Sequence, residues 1–147
     1  KEIKNKGYIL NVETYEKYYS KNQTPYTPSI PHLFGFKKVL DIIFEEGLEI
    51  RWQRHKEMAE LVRNWALNMG QSLYAEKKCL SDTVTSINND INWDINGIND
   101  RLLNKGFRMD RGYGELKGKV FRIPHMGNIY PEDLLEYFNV FEECIDA

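Results

Sequence analysis

Residues 118–127, Gly-Lys-Val-Phe-Arg-Ile-Pro-His-Met-Gly, are the stretch around which the rest of the chain is organised. Val120, Phe121 and Ile123 are strand-forming apolar residues with glycines on both flanks, so the stretch predicts a short β-strand. Arg122 interrupts the apolar run. Because a guanidinium is costly to bury by itself, Arg122 must either reach solvent or face an anion.

Two roles for Arg122 are compatible with its place on this strand. The spacing alone favours an exposed arginine on an edge strand, because exposure is the ordinary state of that residue. The alternative is a carboxylate clamp, since two parallel N–H groups of a guanidinium match the two oxygens of a carboxylate. The pattern of residues leaves both roles open.

Length, charge and cysteine content limit the classes of protein that fit this chain. It has 147 residues, with 20 Lys plus Arg against 22 Asp plus Glu, which argues against a nucleic-acid or acidic-membrane partner. No apolar stretch approaches the ~20 residues of a membrane-spanning helix. Cys79 and Cys144 predict free thiols and a cytoplasmic location. We expect no signal peptide, and because the chain opens on Lys1 without a methionine, we expect a piece of a longer protein.

Helical periodicity dominates the first half of the chain. A short amphipathic helix is expected within residues 1–22, followed by a proline-punctuated connector at residues 23–31. Ser29 is a candidate cap for the next helix. Apolar residues at three- and four-residue steps then predict two helices, with a bend near Gly47 and an end at Gly70.

The second of these two helices has an apolar stripe and a charged face. Leu48, Trp52 and His55 begin the stripe, and His55 is predicted to be a hydrogen-bonded packing residue, since no second His or Cys lies at metal-ligand spacing. We expect the opposite face to be solvated. That face consists of Arg51, Arg54, Glu57, Glu60 and Arg63.

The second half of the chain predicts an α+β domain. Strands are expected at residues 72–75, 83–87, 107–110 and 119–123. Helices are expected at about residues 93–104, capped by Asn92 or Asp94, and from Pro131 onward. This order of elements in two layers predicts a small, mostly antiparallel sheet with helices on one face.

Four short motifs occur in order along the chain. They are Gln-Thr-Pro-Tyr-Thr-Pro at 23–28, Glu-Glu-Gly-Leu-Glu at 45–49 running into Arg54-His55, Thr-Val-Thr at 83–85, and the stretch at 118–127. Together they resemble the class V (fold type I) pyridoxal-phosphate-dependent aminotransferases, especially the alanine–glyoxylate and serine–pyruvate group. The resemblance extends from about Gln23 to the end of the chain.

The resemblance implies a domain organisation. Residues 1–46 would be the tail and dimer-interface segment of the large, cofactor-binding domain. Residues 47–70 would form the helix that links the two domains, and residues 71–147 the C-terminal small domain.

The resemblance also implies roles for individual residues. Arg122 would hold the α-carboxylate of the substrate. Thr27, and Thr24 at a more variable position, would bind the phosphate of pyridoxal 5'-phosphate in the neighbouring subunit of a homodimer. The reaction would be amino transfer between alanine or serine and glyoxylate or pyruvate. The family's Schiff-base lysine lies upstream of the matched segment and no lysine here matches it, so this chain alone is expected to be inactive.

Two positions depart from the family pattern, and one loop has an open role. Pro124 stands where glycine is usual, which puts the turn after Arg122 and the substrate preference in doubt. Asp82 replaces a common proline, with only a local effect expected on the turn. The loop at residues 112–114 corresponds to a glycine-rich loop near the mouth of the active site, where Tyr113 is either a substrate contact or simply exposed.

Two alternatives to an active aminotransferase follow from the same residues. A small α+β domain behind a long helix also suits a non-catalytic regulatory or dimerisation module, because fold alone does not decide function. The other alternative is a parent protein that binds the cofactor without turnover.

Overall fold

The structure, a computed structural model, describes residues 7–146, which fall into two compact units, residues 7–46 and 47–146. The parts of the expected segments at residues 1–6 and 147 lie outside the described residues. In the first unit, α1 (Val12–Tyr19) confirms the expected short helix, and α2 (Ile30–Glu46) follows the proline-containing connector. Asn11 caps α1, because its side chain accepts a hydrogen bond from the backbone N–H of Glu13.

Tyrosines hold the connector against α1 within the first unit. The hydroxyl of Tyr26 donates to the carbonyl oxygen of Tyr8 at 2.7 Å. The Tyr26 ring also lies 4.8 Å from the Tyr8 ring and 6.0 Å from the Tyr15 ring, centroid to centroid. The hydroxyl of Ser29 hydrogen-bonds the side chain of His32 at 2.6 Å, so the cap predicted there is replaced by a contact between side chains.

Six large apolar side chains of α2 are exposed. They are Ile30, Leu33, Phe34, Phe36, Val39 and Phe44, each between 49% and 71% exposed. A helix with this much exposed apolar area does not derive its stability from burial within the described residues.

The second unit contains three helices and two strands. They are α3 (Leu48–Asn68), β1 (Val84–Asn88), α4 (Ile95–Asn104), β2 (Val120–Pro124) and α5 (Pro131–Asp146). Short 3-10 turns occur at Lys77–Cys79 and Gly114–Leu116. The helix break predicted near Gly47 is confirmed, since this glycine precedes α3 with a φ of 87°, a conformation that favours glycine. Asp94 caps α4 as one of the two predicted candidates, accepting from the N–H of Gly97 at 3.1 Å.

β1 and β2 form an antiparallel pair in which Ser86 lies opposite Arg122. The strands predicted at residues 83–87 and 119–123 are confirmed to within one residue. The strands predicted at residues 72–75 and 107–110 are wrong. The segment at 72–75 makes only an isolated bridge from Leu73 to Ile87, because a 3-10 turn follows at Lys77–Cys79. The segment at 107–110 makes only an isolated bridge from Asp110 to Arg122, because a tight turn follows at Gly112.

An aromatic core joins the helices of the second unit to β2. The Trp65 ring on α3 stacks on Phe138 of α5 at 4.9 Å and meets Phe141 edge-on at 5.1 Å, and its Nε1 donates to Glu142 at 2.8 Å. Phe121 of β2 is fully buried and lies 5.9 Å from Phe141. Strand β2 is therefore anchored by burial of its apolar side chains, while the intervening Arg122 remains half-exposed.

The described residues answer one prediction made from composition. Both cysteines are free as predicted, with Cys79 exposed and Cys144 buried on α5. Among residues 7–146, no helix combines the length and apolarity needed to cross a bilayer.

The prediction that the charged face of α3 is solvated is wrong at Arg54. This side chain is only 8% exposed. Its guanidinium donates to the carbonyl oxygens of Ile129 and Gly127, and it lies 4.6 Å from the ring of Tyr130. Arg51 donates to the same Gly127 carbonyl at 3.0 Å. Because these acceptors belong to the turn that follows β2, α3 fixes that turn in place.

The beginning of the apolar stripe was also predicted wrongly. Trp52 is 61% exposed and Leu48 is 40% exposed, since the buried positions of α3 begin only at Arg54 and Met58. The hydrogen bond predicted for His55 is not made by its Nε2, which is buried and has no partner among the described residues.

Replacing Arg54 tests whether it holds the turn at residues 127–130. We expect Arg54→Met to lower the free energy of unfolding by about 2–4 kcal/mol, because the Ile129 carbonyl oxygen loses this donor and the Gly127 carbonyl oxygen keeps only the one from Arg51. Urea unfolding measures this difference. Lys56→Met, an exposed position one half-turn away, is the matched control and should change stability by less than about 0.5 kcal/mol. Equal losses in the two variants would contradict the assignment.

Candidate functional site

Arg122 forms a two-pronged ion pair with Asp110. Its Nε donates to Asp110 Oδ1 at 3.0 Å and its Nη2 donates to Asp110 Oδ2 at 2.7 Å. This is the side-on, bidentate geometry that gives strong charge-assisted hydrogen bonds. The two hydrogen bonds from Arg122 lower the pKa of the Asp110 carboxyl, and the same bonds raise the pKa of Arg122. Both groups are therefore charged at neutral pH.

The structure shows which anion lies beside Arg122, while its role as a substrate clamp stays a prediction. The side chain faces an anion, and that anion is provided by this chain. Arg122 nevertheless keeps 36% of its side chain exposed, against 26% for Asp110. Its Nη1 lies outside the pairing with Asp110, so one edge of the guanidinium is not taken by this carboxylate.

The loop between Asp110 and Gly118 folds back against β2. The backbone N–H of Arg122 donates to the Asp110 carbonyl oxygen at 3.0 Å, and the N–H of Gly118 donates to the Arg111 carbonyl oxygen at 3.0 Å. The ring of Tyr113, itself 72% exposed, lies 4.8 Å from the guanidinium carbon of Arg122. Tyr113 therefore covers one face of Arg122 from the solvent side.

A cavity of about 680 Å³ lies along this loop. Asp110 and Tyr113, the two residues that contact Arg122, are part of its wall. The other lining residues are Arg108, Met109, Arg111, Gly112, Gly114, Lys117 and Pro124. The wall thus brings together three cationic side chains beside the Arg122–Asp110 pair, which favours anions in the cavity.

Thr27 and Thr24 lie in the first unit, on the connector between α1 and α2. Both are exposed. Thr24 borders a shallow depression together with Tyr19, Asn22 and Gln23. Neither threonine hydroxyl makes a side-chain hydrogen bond within residues 7–146, so both remain able to donate to an oxygen-rich group.

Comparison with known proteins identifies relatives of this chain. The chain is 38% identical over 123 residues to an uncharacterised aminotransferase of Methanocaldococcus jannaschii, a match that covers 82% of this chain and 32% of the relative. It is 35% identical over 116 residues to the serine–glyoxylate aminotransferase of Arabidopsis thaliana, covering 76% of this chain and 28% of the relative. The chain is homologous to class V aminotransferases.

A solved structure supports the same family and gives the fold. The alanine–glyoxylate aminotransferase from Nostoc sp. superposes with a TM-score of 0.81 at 28% identity, covering 96% of this chain and 39% of that one. The family resemblance and the α+β fold of a C-terminal part of a fold type I aminotransferase are thus confirmed. This chain spans about a third of the length of the curated aminotransferases that it matches. No protein-family model matches the chain.

Among the buried polar residues, His125 lies nearest in sequence to Arg122. It has no exposed surface, and its Nε2 lies 2.9 Å from the hydroxyl oxygen of Thr85 on β1. Its Nδ1 has no hydrogen-bond partner within residues 7–146. Burial, and next the nearby positive charge of Arg63, lower the pKa of His125 to about 4. His125 is therefore neutral at pH 7 and joins the end of β2 to β1.

Sequence reasoning missed Asp110 in this site and Arg54 at the turn that follows β2. The charge pattern predicts that Arg54 lies on a solvated helix face, although this residue stands in one of the four family motifs. Asp110 is the last residue of the strand predicted at 107–110, and the sequence pattern predicts no functional role for it. The available signal was an aspartate among basic residues, with Arg108 and Arg111 on either side.

The lowered pKa of His125 predicts how stability depends on pH. Since an unfolded histidine titrates near 6.5, the unfolded chain binds a proton between about pH 6.5 and pH 4 that the folded chain does not. The free energy of unfolding should therefore fall as the pH is lowered through this window, by up to about 3 kcal/mol from this group. Urea unfolding at a series of pH values measures the slope.

Variants at two histidines isolate this contribution. His125→Gln should flatten the slope between pH 4 and 6.5, because no group that is buried neutral remains at that position. His32→Gln, at an exposed histidine on α2, is the matched control for the loss of a histidine. If His125→Gln retained the full slope, another group would be responsible.

Proposed function

We propose that this chain is the C-terminal part of a pyridoxal-phosphate-dependent aminotransferase in which Arg122 binds the substrate carboxylate. The observation that carries the proposal is the placement of Arg122. Its backbone is fixed on β2 between the buried residues Phe121 and Ile123, and its guanidinium is partly exposed beside a cavity with cationic walls. A guanidinium held rigidly in this way is suited to bind a carboxylate.

The substrates proposed are alanine or serine as amino donor and glyoxylate or pyruvate as acceptor. The support comes from relatives named as serine–glyoxylate aminotransferase and pyridoxamine–pyruvate transaminase, and from a solved alanine–glyoxylate aminotransferase. Each of these compounds except pyridoxamine carries a carboxylate, which is the group that Arg122 would recognise.

The described residues also fit a supporting role toward pyridoxal 5'-phosphate. Thr27 and Thr24 present exposed hydroxyl groups, which are suitable donors to phosphate oxygens. When bound, the cofactor accepts the amino group of the donor and passes it to the oxo acid. The lysine that holds the cofactor would lie outside this chain, so the chain alone would be inactive.

The proposed organisation places residues 1–46 in the large domain and at the dimer interface, residues 47–70 in the linking helix, and residues 71–147 in the small domain. Support comes from α2, whose exposed apolar side chains, such as Phe34, Phe36 and Phe44, would need cover from a further domain or a second subunit. The free state of Cys79 and Cys144 supports a reducing compartment such as the cytoplasm.

The absorbance spectrum of the complete enzyme tests the cofactor assignment. We expect the protein to bind pyridoxal phosphate with a visible absorbance band, and alanine or serine to convert that band to the one of the amino form of the cofactor. In the same titration, Thr27→Val should weaken cofactor binding, because a hydroxyl donor to the phosphate is lost. A protein that binds no pyridoxal phosphate would instead support the non-catalytic regulatory or dimerisation module.

Replacing Arg122 tests the carboxylate clamp. Arg122→Ala should raise the KM for the amino acid by about 100-fold, because the substrate loses a charge-assisted bidentate partner. Arg122→Lys should give a smaller increase, since it keeps the charge but loses the planar fork. Steady-state kinetics on the complete enzyme measure both values.

The control for this experiment removes a positive charge from the same stretch. Lys119 is exposed and lies one residue before β2, and Lys119→Ala should leave the KM within about twofold, as expected for a surface charge. An unchanged KM in Arg122→Ala would make the Arg122–Asp110 pair purely structural and would exclude the clamp.

A further inference from the structure

Asp110 occupies the edge of Arg122 that a substrate carboxylate would otherwise use. It takes the hydrogens of both Nε and Nη2, at 3.0 and 2.7 Å. A substrate carboxylate can bind Arg122 bidentately only by displacing Asp110 from this edge or by using the edge that carries Nη1. In the second case two carboxylates share one guanidinium, and they repel one another.

Hydrogen bonds with two backbone N–H groups hold Asp110 in this position. Its carbonyl oxygen accepts the N–H of Arg122, and its Oδ1 also accepts the N–H of Gly112 at 2.9 Å. The turn at Gly112 has a φ of 76°, and a Cβ there would lie 2.6 Å from the Val120 carbonyl oxygen. Only glycine is tolerated in such a turn, so the local backbone holds Asp110 against Arg122.

The charges of the pair cancel at the point where an anionic substrate would bind. Asp110 is ionised at neutral pH because Arg122 and Gly112 donate to its carboxylate. Arg122 therefore attracts an incoming carboxylate less strongly than an unpaired guanidinium would. Since the pair is only partly buried, water screens this effect but does not abolish it.

We propose that Asp110 is an affinity-determining residue of the carboxylate site, acting as an internal competitor for Arg122. This inference rests on the proposed function, because it requires that Arg122 bind the substrate carboxylate. It goes further in stating that the site is built with its own counter-ion. The affinity for the amino acid is consequently limited by Asp110 and increases when its charge is removed.

Asp110→Asn in the complete enzyme is the direct test. Asparagine keeps the shape of the side chain and an oxygen for the Gly112 N–H, but removes the negative charge. We expect the KM for alanine or serine to fall by about tenfold with little change in kcat. The dissociation constant of 2-methylalanine, which has the carboxylate but no α-hydrogen, should fall by a similar factor in a titration followed by cofactor absorbance.

A matched control removes one negative charge from the same loop. Glu115 is exposed, belongs to the 3-10 turn at Gly114–Leu116 and forms no hydrogen bond or ion pair with Arg122. Glu115→Gln should leave both constants unchanged, so an effect confined to Asp110→Asn identifies direct competition. If Asp110→Asn does not fold, Asp110→Ser offers a second neutral acceptor for the Gly112 N–H and gives the same readout.

The outcomes separate this inference from the proposed function. If Arg122→Ala raises the KM but Asp110→Asn leaves the 2-methylalanine constant unchanged or raises it, Asp110 is not a competitor and the inference is overturned while the clamp stands. If Arg122→Ala has no effect on the KM, the proposed function fails and the inference fails with it. Equal effects of Asp110→Asn and Glu115→Gln would also overturn direct competition in favour of a general charge effect.

Discussion

A guanidinium that loses much of its hydration must be stabilised by a negative charge or by carbonyl oxygens. Two arginines meet this requirement, one with a partner in the chain before β2 and one with partners in the chain after it. Arg122 is satisfied by Asp110, which draws the preceding loop back against the strand. Arg54 is satisfied by the carbonyl oxygens of Gly127 and Ile129, in the turn that follows the strand. The chain is thus held before and after Arg122, while Phe121 and Ile123 hold the strand itself in the core.

The parts of the fold that could be predicted from the sequence are those with local signals. Apolar spacing located the helices, Gly47 marked the break between α2 and α3, and Asp94 marked the start of α4. The strand around Arg122 was recognised because β-forming apolar residues stood between glycines. In each case the residues that decide the structure lie within a few positions of one another.

The errors share a different physical origin, because they depend on contacts between distant parts of the chain. Arg54 looks solvated beside Glu57 and Glu60, and only a turn 73 to 75 residues later makes it a buried anchor. The segment around Leu73 has strand-like composition, but it contributes only an isolated bridge to β1 before the chain turns away. Periodicity describes one element at a time and carries no information about such partners.

The candidate site shows the same division between local and distant information. Arg122 could be selected from the sequence because it interrupts an apolar strand within a motif that resembles the aminotransferase family. Its partner could not, since nothing in the pattern states that Asp110, twelve residues earlier, returns to bond the guanidinium on its Nε edge. Sequence reasoning could therefore find Arg122, which carries the positive charge. Finding Asp110, whose negative charge offsets it, required the structure of the folded loop.

This arrangement separates the position of the proposed carboxylate site from its charge. The position of Arg122 depends on core residues such as Phe121, and changes there would cost packing energy throughout the domain. Its charge depends on Asp110, which lies on a partly exposed loop and contributes nothing to the apolar core. A substitution at Asp110 therefore alters the electrostatics around Arg122 without repacking the domain. If Arg122 binds the substrate as proposed, the loop rather than the strand is where its affinity for a carboxylate can be adjusted.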